Sequence, residues 1–199
     1  MELQTRVTNI LTKPRDEWPV IAAEPTDAAT LYKTYIAILA AIPPIASLIG
    51  MTFIGVTVPR LGSYRIGLVH GLTGAVVSYA LALAGVYVAA IVIDNLAPQF
   101  RSQSNLLQAL KLVAYASTPS WVAGVLSIVP PLAALAVLAG LYGIYLFYLG
   151  VGPMMKTPPD KVVPYMIVSA IVIIIVTAVM GTITGSITAA LFVGPRIGF

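Results

Sequence analysis

Residues 111–156, KLVAYASTPSWVAGVLSIVPPLAALAVLAGLYGIYLFYLGVGPMMK, decide the fold. Between Lys111 and Lys156 lie 44 residues without a charge. At about 1.5 Å of rise per residue, one helix of that length would run roughly 66 Å. The hydrocarbon core of a bilayer is about 30 Å thick, so the stretch holds two crossings. Pro130-Pro131 in its middle marks the turn between them, because proline lacks the N–H and clashes with the preceding helical turn.

The same ruler works outward. Lys33 and Arg60 are separated by 26 uncharged residues, Arg65 and Asp94 by 28, and Lys161 and Arg196 by 34. Each gap suits one span of about 20 residues or a little more. The predicted class is an all-α polytopic membrane protein with five transmembrane helices, at roughly 34–58, 68–94, 105–128, 132–152 and 163–193. The third holds Lys111, which can snorkel to the interface. It also holds Pro119, which should kink it, with Ser117, Thr118 or Ser120 satisfying the freed carbonyl.

Composition agrees. Only 9% of the 199 residues are charged and 59% are hydrophobic, where a soluble domain carries about 25% charge. The net charge of +4 comes from scattered residues, without the basic stripe and interleaved aromatics of a nucleic-acid binder. Nucleic acid is therefore excluded as a partner, and the lipid bilayer is the expected surroundings. There is no cysteine and one histidine, which excludes disulfides, thiol nucleophiles and Cys- or His-rich metal sites. No metal or cofactor is expected. Neither paired acids at catalytic spacing nor a phosphate-binding glycine loop is present, so the chain reads as non-enzymatic.

Basic residues set the orientation. With the N-terminus inside, Arg6, Lys13, Arg15, Lys33, Arg101, Lys111, Lys156 and Lys161 face the cytoplasm, against Arg60, Arg65 and Arg196 outside. Eight against three is a positive-inside bias. An odd number of spans then puts the C-terminus on the opposite side, and the bacterial inner membrane is the expected location.

Residues 1–33 form a charged cytoplasmic segment ahead of the five-helix domain at 34–199, and no secretory signal peptide is expected there. Leu3, Val7, Ile10 and Leu11 fall on one helical face. Trp18 follows, a residue that favours the membrane interface. The spacing predicts a short amphipathic helix on the cytoplasmic leaflet, anchored by these five residues. A frayed tail is the alternative, since helices this short are marginal alone.

Several segments resemble prokaryotic Yip1-family membrane proteins: Ile10-Leu11-Thr12-Lys13-Pro14 with Glu17-Trp18, Leu31-Tyr32 leading to Ala40-Ala41-Ile42-Pro43, Ala114 to Trp121, and Leu141 to Gly150 running into Met154 to Lys161. The resemblance implies five spans, a cytoplasmic N-terminus and no enzyme activity. Eukaryotic relatives are implicated in vesicle traffic and in binding prenylated GTPases. Their Asp-Leu-Tyr-Gly-Pro motif is missing here, Leu31-Tyr32 lacking its Asp, Gly and Pro, so GTPase binding is not carried over.

The candidate sites are few. Asp94 is the sole acid between Asp27 and Asp160. Its expected role is a pair with Lys111 that fixes the second helix to the third, the alternative being an ion or proton site. His70 is either tolerated near the interface or a pH sensor. Tyr142 lies near the predicted midplane, where its hydroxyl needs a partner. Tyr115 and the Ser117-Thr118-Pro119 kink lie at similar depth, and the Ser117–Ser120 segment is the expected partner. Together with Thr177 and Thr184 of the fifth helix they form a candidate polar intramembrane site. This is either a packing hydrogen bond or a substrate site at a broken helix. Gly67 with Gly71, and Gly181 with Gly185, are Gly-x-x-x-Gly steps that let helices approach within the chain or across a homo-oligomer seam. The Lys156–Lys161 loop is a solvated turn, or it meets anionic headgroups or a protein partner.

Two functions follow. The first is an interaction or membrane-organising protein, working with a membrane-protein partner or a second copy. The second is a small transporter or channel lined by hydroxyls and carbonyls.

Overall fold

The computed structural model describes residues 2–58 and 62–192; the side chains of residues 56–64, and of most residues beyond 175, lie outside that description. Two ten-residue helices open the chain, α1 (Leu3–Thr12) and α2 (Pro14–Ala23). Lys13 separates them, and Pro14 starts the second, where its missing N–H costs no helical bond.

The first apolar stretch is helical from Ala28 to Ile54. Asp27 caps it, accepting from the Thr30 amide at 2.9 Å and the Thr30 hydroxyl at 2.7 Å. The amide bond, followed by the hydroxyl bond, holds the Asp27 carboxyl below its ordinary pKa. Within the stretch, α3 (Ala28–Leu31), α4 (Ala37–Ala40) and α5 (Ile42–Ile49) are joined by a wide turn at Tyr32–Ile36, and a second wide turn follows at Gly50–Ile54. Gly55, at φ 78°, ends the helix in a conformation that favours glycine. The predicted helix end at 58 is corrected here. Val56–Val58 is strand β1, which pairs antiparallel with β2 (Gly62–Tyr64), Thr57 opposite Ser63.

Next come α6 (Leu68–Leu96), α7 (Leu106–Ala116) and α8 (Thr118–Ala123). Asn105 caps α7 by accepting from the Gln108 amide. The chain breaks at Ser117, as the Pro119 reading expects, and Pro119 sits in the first turn of α8. Tight turns at Gly124–Ile128 and Pro130–Leu135 lead into α9 (Ala136–Met155), and α10 (Pro159–Phe192) closes the chain. Among the described residues, Ala28–Ile54, Leu68–Phe100 and Pro130–Met155 are long and apolar enough to cross a membrane, with mean hydropathies of 2.0, 2.4 and 2.0. Val69, Val137, Leu138 and Ile174 stand largely exposed on the outer faces, as residues in lipid contact do.

Glycines set the closest helix approaches. A Cβ on Gly143 would lie 2.8 Å from the Ala116 carbonyl oxygen, and one on Gly124 would meet Pro43. On Gly150 it would come 2.6 Å from Leu112 Cδ1 and 2.7 Å from the Trp18 ring. The last contact runs against the reading of Leu3, Val7, Ile10, Leu11 and Trp18 as a membrane-interface anchor. Ile10 and Trp18 are fully buried, and Leu3, Val7 and Leu11 pack against the same core. The stripe packs on the protein core, α1 against α8 and α2 against α9. Gly143 lets α9 close on the end of α7, and Gly150 leaves the space that Leu112 of α7 and Trp18 of the α1–α2 hairpin occupy.

Candidate functional site

At the centre of the hairpin is a buried cation. Arg6 is 3% exposed and makes ion pairs with Glu17 and Glu24. Asn9 Nδ2 donates to the second oxygen of Glu17 at 3.1 Å, and the Arg6 guanidinium lies 5.7 Å from the Tyr115 ring centroid. A buried charge is tolerated only when paired and hydrogen-bonded; both conditions hold here. Arg6 falls three residues after Leu3 and four before Ile10, inside the apolar stripe. Glu17, Ile21 and Glu24 likewise share one face of α2. Charges inside an apolar face are a legible signal of an internal pair, and the sequence reading passed over them.

Lys111 is the second buried cation, 3% exposed. Its ammonium donates to the Ile21 carbonyl at 2.9 Å and the Glu24 carbonyl at 2.6 Å. Gln108 Nε2 adds a bond to the Ala22 carbonyl at 3.0 Å. The C-terminal end of a helix carries unpaired carbonyls and partial negative charge, so α2 supplies what a lysine in the third apolar stretch needs. The predicted Asp94–Lys111 pair is therefore corrected. Asp94 instead accepts from the Ser104 hydroxyl at 2.7 Å.

Aromatic residues continue the site inward. Tyr115 meets Trp18 edge-on at 6.3 Å and Tyr35 at 4.5 Å. The Tyr35 hydroxyl shares a 2.7 Å bond with Thr118. Tyr142 does not bond the Ser117–Ser120 segment as predicted; it donates to the Leu11 carbonyl at 2.8 Å, at the last turn of α1. The α1 C-terminus has free carbonyls to offer, whereas Ser117 is already engaged. Its hydroxyl donates to the Val113 carbonyl at 2.8 Å, and Thr118 bonds the Ala114 carbonyl at 3.4 Å. Tyr115, Thr118 and Tyr142 thus gather around the hairpin.

Ser117 and Ser120 instead face a cleft of about 310 Å³ where α6 to α10 meet. Apart from these two serines its walls are apolar, among them Ala116, Gly140, Phe147 and Ala170.

The remaining candidates separate. A Cβ on Gly71 would lie 2.8 Å from Leu48 Cδ1 and 2.9 Å from Thr52 Oγ1, so this glycine packs within the chain. Gly67 precedes α6 and meets only His70 Nδ1, at 3.8 Å. His70 itself is exposed. Thr177, Gly181, Thr184 and Gly185 lie on α10, and their side-chain positions fall outside the described residues.

Comparison with known proteins places these features. The chain is 29% identical over 126 residues to the inner membrane protein YohC of Escherichia coli K12, and equally to YohC of E. coli O6:H1. The match takes in 63% of this chain and 65% of YohC, less than two thirds of the relative's length. No solved structure gives a significant match. The Yip1 domain profile matches residues 8–180, from α1 through most of α10. This chain belongs to the Yip1 domain family of membrane proteins.

Proposed function

We propose that this protein is a non-enzymatic interaction or membrane-organising component of the bacterial inner membrane. It crosses five times, with the N-terminal hairpin in the cytoplasm and the C-terminus outside. The observation that carries this reading is that the polar groups around the α7–α8 break and the hairpin are engaged within the chain, although the buried hydroxyls of Thr52 and Ser169 have no hydrogen-bond partner among the described residues. Tyr142 is held by Leu11, Tyr35 by Thr118, Ser117 by Val113 and Lys111 by the end of α2. A solute or ion path needs a row of groups free to replace water; the cleft where α6 to α10 meet is apolar but for two serines, and the smaller one of about 180 Å³ between α5 and α6 sets Ser47, His70 and Ser78 among apolar side chains and glycines. The basic-residue bias supports the orientation. A second copy or another membrane protein is the expected partner, with lipid covering the outer faces.

The test is flux into proteoliposomes over a panel of cations, anions and small neutral solutes. Rates equal to those of protein-free liposomes are expected. Saturable flux, lost in Tyr142→Phe, would replace this reading with that of a transporter. A C-terminal reporter that is active only outside the cytoplasm checks the five crossings; cytoplasmic fluorescence would contradict them.

A further inference from the structure

We propose that the cleft beside the α7–α8 break binds the acyl chain of a membrane phospholipid. The inference rests on reading the bundle as an interaction element rather than a solute path. The two fail separately: flux refutes that reading, and loss of cleft labelling refutes this one.

The shape favours a chain. On α9 the wall runs from Gly140 to Phe147, on α7 and α8 from Val113 to Ser120, and on α10 from Met166 to Ile174. The runs on α9 and α10 each cover about 10–12 Å along the helix axis at 1.5 Å per residue. The cleft is therefore elongated along the helices, the direction in which acyl chains lie. Its 310 Å³ is about twice the volume that accepts a benzene ring, or room for on the order of a dozen carbon atoms.

The chemistry favours hydrocarbon. Ile144 and Ile174 line the cleft and are 52% and 66% exposed, so the cleft opens on a face that lipid covers. Ser117 already donates to the Val113 carbonyl. Ser120 is left as the lone hydroxyl, and on a helix it can turn back to the carbonyl four residues earlier. A polar solute would find almost nothing to bond. The space exists because small residues converge from four helices, Ala89, Ala116, Gly140 and Ala170 among them. At Gly140 there is room for a side chain, since among the described residues a Cβ would meet only Ser120 Oγ, at 4.0 Å.

That room provides the test. Wild-type protein, Gly140→Leu, Ser120→Leu and Gly85→Leu are reconstituted in phosphatidylcholine vesicles bearing a photoreactive acyl chain, and cross-linked positions are mapped. Among the described residues a Cβ on Gly85 would have nothing within 4 Å, and Gly85 lies outside the cleft, so it controls for the added leucine. Exposed Leu138 reports ordinary surrounding lipid. The expected result is labelling of Ser117–Ser120 and Gly140–Phe147 that falls several-fold in both filled variants. Labelling at Leu138, and in Gly85→Leu, should hold. Cleft labelling at background in the wild type, or unchanged in both filled variants, overturns the proposal. So does replacement of lipid labels there by cross-links to a second copy of the chain.

Discussion

Replacing Arg6 by methionine should loosen the N-terminal hairpin. The substitution keeps the apolar stem and removes the charge. It strands Glu17, which is 5% exposed, while Glu24, on the rim with a side chain 36% exposed, can turn to water. Breaking a buried pair from one side costs about 3–5 kcal/mol, because the remaining charge stays buried without compensation. The natural sequence has no cysteine, so Ile21→Cys, at a position 1% exposed, provides a single reporter on the hairpin. Maleimide labelling in lipid nanodiscs then follows the undocked fraction. At tenfold per 1.4 kcal/mol, Arg6→Met should speed labelling on the order of 100- to 4,000-fold. Removing Glu17 as well, as Arg6→Met with Glu17→Met, should recover most of the protection, since apolar replacement of a buried pair is often near neutral. Acceleration of the single variant below tenfold, or a double variant as labile as the single, would refute the assignment of these charges as a buried pair.

Other outcomes follow from the same geometry. Gly150→Leu should expel Trp18, at a cost of about 1–3 kcal/mol typical of overpacking, read as a lower thermal midpoint in detergent and a red-shifted tryptophan emission. Asp94→Asn should change that midpoint little, because its partner is a serine hydroxyl. Lys111→Met should affect it more, since it frees the Ile21 and Glu24 carbonyls together. The carboxyl of Asp27 titrates below its ordinary value. Its stabilisation of the α3 start is therefore complete above about pH 4 and lost as pH falls through the lowered pKa. Hydrogen exchange of the Thr30 amide should speed up over that acidic window and stay slow above it.

The apolar elements were legible because lipid excludes charge, and uncharged gaps therefore mark them. The helices at Leu68–Leu96 and Ala136–Met155 begin and end within a few residues of the gap reading. The break at Ser117 was legible from Pro119. The place of α1 and α2 was not. Periodicity put Leu3, Val7, Ile10 and Leu11 on one face, but it does not say whether lipid or protein meets that face. Arg6 within the stripe was the available sign, since a cation there needs an internal partner. The partners of Lys111 and Tyr142 were illegible for another reason. They are backbone carbonyls 87 to 131 residues away, and a carbonyl leaves no mark in side-chain pattern. Gly143 and Gly150 are seven residues apart on α9, a spacing outside the Gly-x-x-x-Gly pattern.

The central claim is that the N-terminal hairpin is part of the bundle, and that Gln108, Lys111 and Tyr142 of the bundle are engaged in holding it. Amide hydrogen exchange in lipid nanodiscs tests this most directly. Residues 3–23 should exchange as slowly as residues 106–116 of α7, and Tyr142→Phe should speed exchange near Leu11 and Thr12. If residues 3–23 instead exchange within seconds, as a surface helix does, while α7 stays protected, the claim fails.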